Sequence, residues 1–150
     1  VSISGLLHDV GMKELSREIV DKPRHALSAT EKTLMESHTV RGAEILNQMP
    51  NLPSDAAIVA MQHQEDCAGF GYPRALTKSK IHPMARLISV ADVFCEYAIQ
   101  GPTSKGMNAR QAVETLMQFN RDRLDPDFFG GLLKLFKLGL KNGGELEDLK

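Results

Sequence analysis

The chain has 150 residues, 42% of them apolar and 25% charged, and a net charge of −1. This is the makeup of one soluble globular domain with a core of its own. It excludes a chain-wide basic field for DNA or anionic membranes, and neither an apolar run of membrane-span length nor a signal peptide is visible.

In chain order the reading is all-helical. Residues 2–8 read as the end of a helix that Gly11 breaks, and 14–20 as a short helix before the Lys22-Pro23 turn. Ser28-Ala-Thr-Glu31 is a capping-box pattern and predicts a helix over 28–49. Leu34, His38, Gly42 and Ile45 share one stripe of it, which turns His38 inward. Pro53 and Ser54 open a helix that ends near His63, and a glycine-rich loop fills 66–80. Pro83 stands where a helix can start, the run 84–99 is strongly apolar, and Gly101-Pro102 ends it. Asn108 opens a helix to about Phe119; Asp125-Pro126 caps a last one, weakened by Gly130 and Gly131. The polar tail 141–150 reads as frayed. With no repeat, alternating strand or internal linker, the expectation is one all-α helical bundle over 1–140. The chain opens on Val1 already inside an apolar segment, which reads as a domain cut from a longer protein. Cys67 and Cys95 form no CxxC pair, which points to a reduced, cytoplasmic compartment.

Four places carry chemistry. His8-Asp9, at a helix end, is a histidine–carboxylate pair able to bind two neighbouring metal ions with the carboxylate between them. Its structural alternative is a polar helix terminus with Asp9 paired to a lysine. His38 and His63 are each either hydrogen-bonded core histidines or ligands. Asp92 lies in the middle of the apolar run Leu87-Ile-Ser-Val-Ala-Asp-Val-Phe94. A buried carboxylate there needs a cation, a metal or several donors, and the balance favours metal over a structural salt bridge.

Together these residues resemble the HD-GYP family, a branch of the HD-domain metal-dependent phosphohydrolases. The matching pieces are Gly5-Leu-Leu-His-Asp-Val-Gly11, Lys22-Pro23, Ser37-His-Thr-Val-Arg-Gly-Ala-Glu-Ile-Leu46, His63 with Glu65, Gly69-Phe-Gly-Tyr-Pro73, Ala85-Arg-Leu-Ile-Ser-Val-Ala-Asp-Val-Phe94 and Leu124-Asp-Pro126. The resemblance implies a helical HD-domain bundle with a two- or three-metal site of iron or manganese that hydrolyses cyclic di-GMP. It implies His8, Asp9, His38, His63 and Asp92 as ligands, Asp9 bridging the metals, and Gly71 and Tyr72 on the substrate side. The implied partners are the nucleotide, a diguanylate cyclase, and an upstream sensory or receiver domain.

The chain also departs from the family's pattern. Met12 stands where a lysine is expected after His-Asp-x-Gly, so the adjacent Lys13 is the candidate for that catalytic role. Gln64 replaces the second of two paired histidines and can ligate only through its neutral carbonyl oxygen. Ala68 replaces an aspartate, with Asp66 nearby but displaced. Gly101 stands for a phosphate-binding arginine, which leaves Lys105 as the substitute, without the guanidinium fork. A further ligand histidine belongs to a helix upstream of the sequence. His25 and His82 read as surface or loop residues. Three readings follow: an active cyclic di-GMP phosphodiesterase, a degenerate domain that binds nucleotide or protein, and a metal phosphohydrolase with another phosphate substrate. The accumulated substitutions lean toward impaired activity.

Overall fold

The computed structural model describes residues 1–101, 105–141 and 145–149, so Pro102 and part of the polar tail lie outside the described residues. Helix α1 (Ser2–Leu7) ends at His8, and Asp9 leads into a 3₁₀ turn over Val10–Glu14. Then come α2 (Arg17–Val20), a 3₁₀ turn at Arg24–Ala26, α3 (Ala29–Glu36) and α4 (His38–Asn47). They are followed by α5 (Asp55–Gln62), a long loop, α6 (Pro83–Ala98), α7 (Ala109–Asn120) and α8 (Pro126–Leu135). The helix starts lie where the sequence marks them. Ser28 and Glu31 form the reciprocal capping box, Asn108 pairs with Gln111 in the same way, and Asp125 caps α8.

Two expectations are corrected. The single helix over 28–49 is two helices, α3 and α4, divided at Ser37. The Ser37 hydroxyl donates to the Leu34 carbonyl at 2.6 Å, and its amide is shared between the Thr33 and Leu34 carbonyls at 3.1 and 3.2 Å. A serine that returns a bond to its own turn competes with the regular ladder. The tail is not wholly frayed either. Strand β1 (Leu138–Leu140) pairs antiparallel with β2 (Leu146–Asp148), with Leu138 opposite Asp148. Lys137, with φ of 55°, turns the chain out of α8 into β1. Three-residue strands are too short to show an alternating pattern, so the sequence gives no sign of them.

The core has three apolar clusters. Val90, Val113, Leu116, Leu124, Phe129, Leu133 and Leu138 join α6, α7, α8 and β1. Val59, Ile81, Ala85 and Ile88 join α5 to α6, and Leu46, Ala56 and Ala60 join α4 to α5. Helix α6 runs through the first two. The turn after Asp9 presses on α4 with backbone against backbone: a Cβ on Gly11 would lie 2.0 Å from the His38 carbonyl oxygen and 2.6 Å from the Gly42 nitrogen. Only glycine permits that approach, and it brings Asp9 up to His38.

Candidate metal centre

Three histidines and two aspartates from the end of α1, the turn that follows it, α4, α5 and α6 converge. His8 is the residue that ends α1, His63 ends α5, and His38 begins α4. Each ring is tied at Nδ1 to the carbonyl three residues earlier: His8 to Gly5 at 2.7 Å, His38 to Met35 at 2.6 Å, and His63 to Ala60 at 3.0 Å. A carbonyl only accepts, so each Nδ1 carries a proton and each Nε2 is turned to the interior, where it offers a lone pair whenever the ring is neutral. Such a second bond fixes the tautomer and orientation of metal-binding histidines.

The Nε2 atoms then face one another and the carboxylates. His38 and His63 approach to 3.2 Å through Nε2, and both lie against Asp9 Oδ1, at 3.3 and 3.2 Å. His8 Nε2 stands 3.5 Å from Asp9 Oδ2 and 3.5 Å from Asp92 Oδ1. His38 and His63 are buried, and His8 Nε2 and Asp9 Oδ1 are buried atoms without a hydrogen-bond partner among the described residues. Facing lone pairs and an orphaned carboxylate oxygen repel unless a cation sits among them. Two groups have ligand atoms close enough to share an ion: His8, His63 and Asp92, and Asp9, His38 and His63. His63 belongs to both, and Asp9 faces both through its two oxygens. The donor set fits divalent cations that accept imidazole and carboxylate.

The charges tell the same story. Burial works against ionisation of His8, but Asp92 and Asp9 outweigh it and push its pKa up to about 9. Burial would raise the Asp9 pKa, yet the His38 and His63 rings hold it far below the usual carboxylate range. Without a metal, a proton supplies the missing positive charge, so a metal must compete with it.

The remaining sequence candidates are spread around this cluster. Gln64 is at its edge, with its amide NH2 donating to Asp92 Oδ2 at 3.0 Å. Tyr72 lies edge-on to His38 with ring centroids 6.1 Å apart, and burial raises its pKa, so it stays a neutral phenol. Gly71 serves backbone packing: a Cβ there would be 2.4 Å from both Asp66 N and Glu65 Cα. The loop around it is organised by two buried carboxylates. Glu65 accepts from the Arg74 and Leu76 amides at 2.7 and 2.8 Å; Asp66 accepts from those of Ala68 and Phe70 at 3.0 and 2.9 Å. Lys13 and Lys105 are exposed and make no hydrogen bond or ion pair among the described residues.

Sequence reasoning missed Arg24 and Glu96, which meet at 2.8 Å on the wall of a cavity beside the cluster. Glu96 was within reach of the sequence, because it follows Asp92 by one helical turn. Arg24 carried no such signal beyond its place after Lys22-Pro23.

Fold and site together define a helical domain built to present histidines and carboxylates to metal ions. The HD-domain family model matches residues 1–128. The chain is 31% identical over 132 residues to a cyclic di-GMP phosphodiesterase of Pseudomonas aeruginosa, covering 88% of this chain and 31% of that protein. It is 30% identical over 135 residues to the 3'3'-cGAMP-specific phosphodiesterase 3 of Vibrio cholerae, covering 90% and 29% respectively. Among solved structures, an HDG"Y"P protein from Bdellovibrio bacteriovorus matches with a TM-score of 0.72 at 22% identity, over 90% of this chain and 42% of that one. This chain therefore belongs to the HD-domain family of metal-dependent phosphodiesterases, in its HD-GYP branch. It spans about a third of the length of the curated relatives it matches. Among the described residues no helix is long and apolar enough to cross a membrane.

Proposed function

We propose that this domain is the hydrolytic part of a cyclic-dinucleotide phosphodiesterase, acting on cyclic di-GMP or a related cyclic dinucleotide with iron or manganese as its metal. The observation that carries this reading is the pair of ligand groups sharing His63, with imidazole lone pairs and an orphaned carboxylate oxygen turned inward. Relatives named for cyclic di-GMP and 3'3'-cGAMP supply the substrate class.

His63 would help to hold a cation either with His8 and Asp92 or with Asp9 and His38, and Asp9, whose oxygens lie near all three histidines, would supply negative charge to the centre. When bound, divalent cations polarise a phosphodiester and acidify water. The chain's own residues do the rest. The carbonyls of Gly5, Met35 and Ala60 keep the three rings aimed, and Gln64 holds Asp92. Tyr72, neutral at working pH, can donate a hydrogen bond to an incoming nucleotide but cannot act as a base. Elemental analysis and turnover of cyclic di-GMP with manganese or iron(II) test the reading. Asp9→Ala should abolish both metal loading and hydrolysis; a metal-free wild-type protein without turnover would sink the proposal.

A second reading, a domain that binds nucleotide or a partner such as a diguanylate cyclase without turnover, has two observations in its favour. Gln64 bonds to Asp92, and Lys13 is exposed and makes no hydrogen bond or ion pair among the described residues. Hydrolysis abolished by Asp9→Ala rejects that reading.

A further inference from the structure

Beside the cluster is a small polar cavity of ≈ 100 Å³. His63, Gln64 and Asp92 line it together with Arg24, Glu96 and Arg123. A ligand that enters it meets the candidate metal ligands and two guanidinium groups at once. Its size suits a small anionic group, and its walls are predominantly polar.

The two arginines are not equivalent. Arg123 is committed, with Nε and one terminal nitrogen both 2.7 Å from Asp66 Oδ2. Arg24 reaches one partner through one terminal nitrogen, Glu96 at 2.8 Å, and has no other hydrogen bond among the described residues. Both partners are accessible, at 62% and 46% exposure, so water screens the pair and it adds little stability. The backbone beneath Arg24 is held. Lys22, two residues before, binds both Glu31 oxygens at 2.9 and 3.0 Å, and Pro23 fixes the approach. The result is an anchored loop carrying a guanidinium whose remaining N–H groups are available.

We propose that Arg24 is the phosphate-holding cation of this site: its guanidinium leaves Glu96, wholly or in part, for the non-bridging oxygens of a phosphate group entering the cavity. This rests on the reading of the centre as one that takes a phosphodiester. A guanidinium suits the task because its fork presents parallel N–H donors to two oxygens. Glu96 is its resting partner and competes with the ligand for it. Neither Lys13 nor Lys105 makes a contact that fills this role among the described residues.

The test titrates inorganic phosphate and, separately, cyclic di-GMP into manganese-treated and metal-stripped protein by calorimetry. Wild type is compared with Arg24→Ala, Arg24→Lys and Glu96→Gln, with metal content and thermal midpoint recorded for each. Arg24→Ala should weaken phosphate binding about tenfold or more, Arg24→Lys should fall between, and metal content should not change. Glu96→Gln should strengthen binding, because it removes the competitor. Phosphate binding by Arg24→Ala within about twofold of wild type overturns the proposal. So does absence of phosphate binding by wild type, or weakening by Glu96→Gln that matches Arg24→Ala, the mark of a purely structural ion pair. A wild type that takes up no metal defeats the metal-hydrolase reading alone; Arg24-dependent phosphate binding in that protein still supports the inference.

Discussion

Each of the three imidazoles is committed by a single bond. By giving its Nδ1 proton to the carbonyl three residues back, a ring loses the freedom to choose which nitrogen meets a cation. Gln64 does for Asp92 what those carbonyls do for the rings. Gln64→Ala should therefore loosen Asp92 and lower metal affinity by about 10–100-fold, read by competition against a chelator of known affinity. His8, Asp9, His38, His63 and Asp92 were legible in the sequence because histidine and carboxylate are uncommon on apolar stripes and their order is distinctive. The duty of Gln64 was not, because its partner is 28 residues away and a glutamine beside a histidine suggests a ligand before it suggests a support. Arg24 was hidden for a similar reason. Its meaning depends on Glu96, which is its ion-pair partner in space but lies far along the chain on α6, and no periodicity links the two.

Local chemistry sets the ends of the elements. Ser28, Pro83, Asn108 and Asp125 act within one turn of themselves, so the starts of α3, α6, α7 and α8 can be read from a few neighbouring residues. The division at Ser37 is also local, but a serine inside a helical pattern is usually tolerated, so its hydroxyl bond had to be seen. The start of α3 also yields a pH prediction. The Lys22 ammonium and the Ser28 amide hold the Glu31 pKa down at about 2, below the ~4.3 of an unfolded chain. A depressed carboxylate stabilises the fold above its unfolded value and loses that contribution as pH falls toward its folded one. Glu31→Gln should thus be less stable than wild type at neutral pH. The gap should close from about pH 4.3 down to about pH 2, as followed by urea midpoints across that range.

Over the whole molecule, the apolar clusters and the candidate centre are separate. None of the residues in the three clusters is a candidate ligand, although α6 serves both with Val90 and Ile88 in the core and Asp92 in the centre. The scaffold is therefore held together by burial rather than by ions. Stripping the protein with a chelator should leave its far-UV circular dichroism unchanged. It should lower the thermal midpoint only by the mass-action share of metal binding, in contrast to small zinc domains that unfold without their ion. The all-helical expectation was sound for the same reason: the long amphipathic segments that make the clusters dominate the sequence. The hairpin of β1 and β2 escaped it because it adds only a short edge beside α8.

The contact of Gly11 with the His38 carbonyl and the Gly42 amide has one more consequence. It sets the gap between the His-Asp turn and α4 by main chain alone, before any ligand side chain is chosen. What would surround a bound ion and where it would sit are thus written in different parts of the molecule. An exchange such as Gln64 revises the first and leaves the second standing. A domain so divided can trade its reactivity, lose it or regain it one residue at a time, because the socket itself never has to be rebuilt.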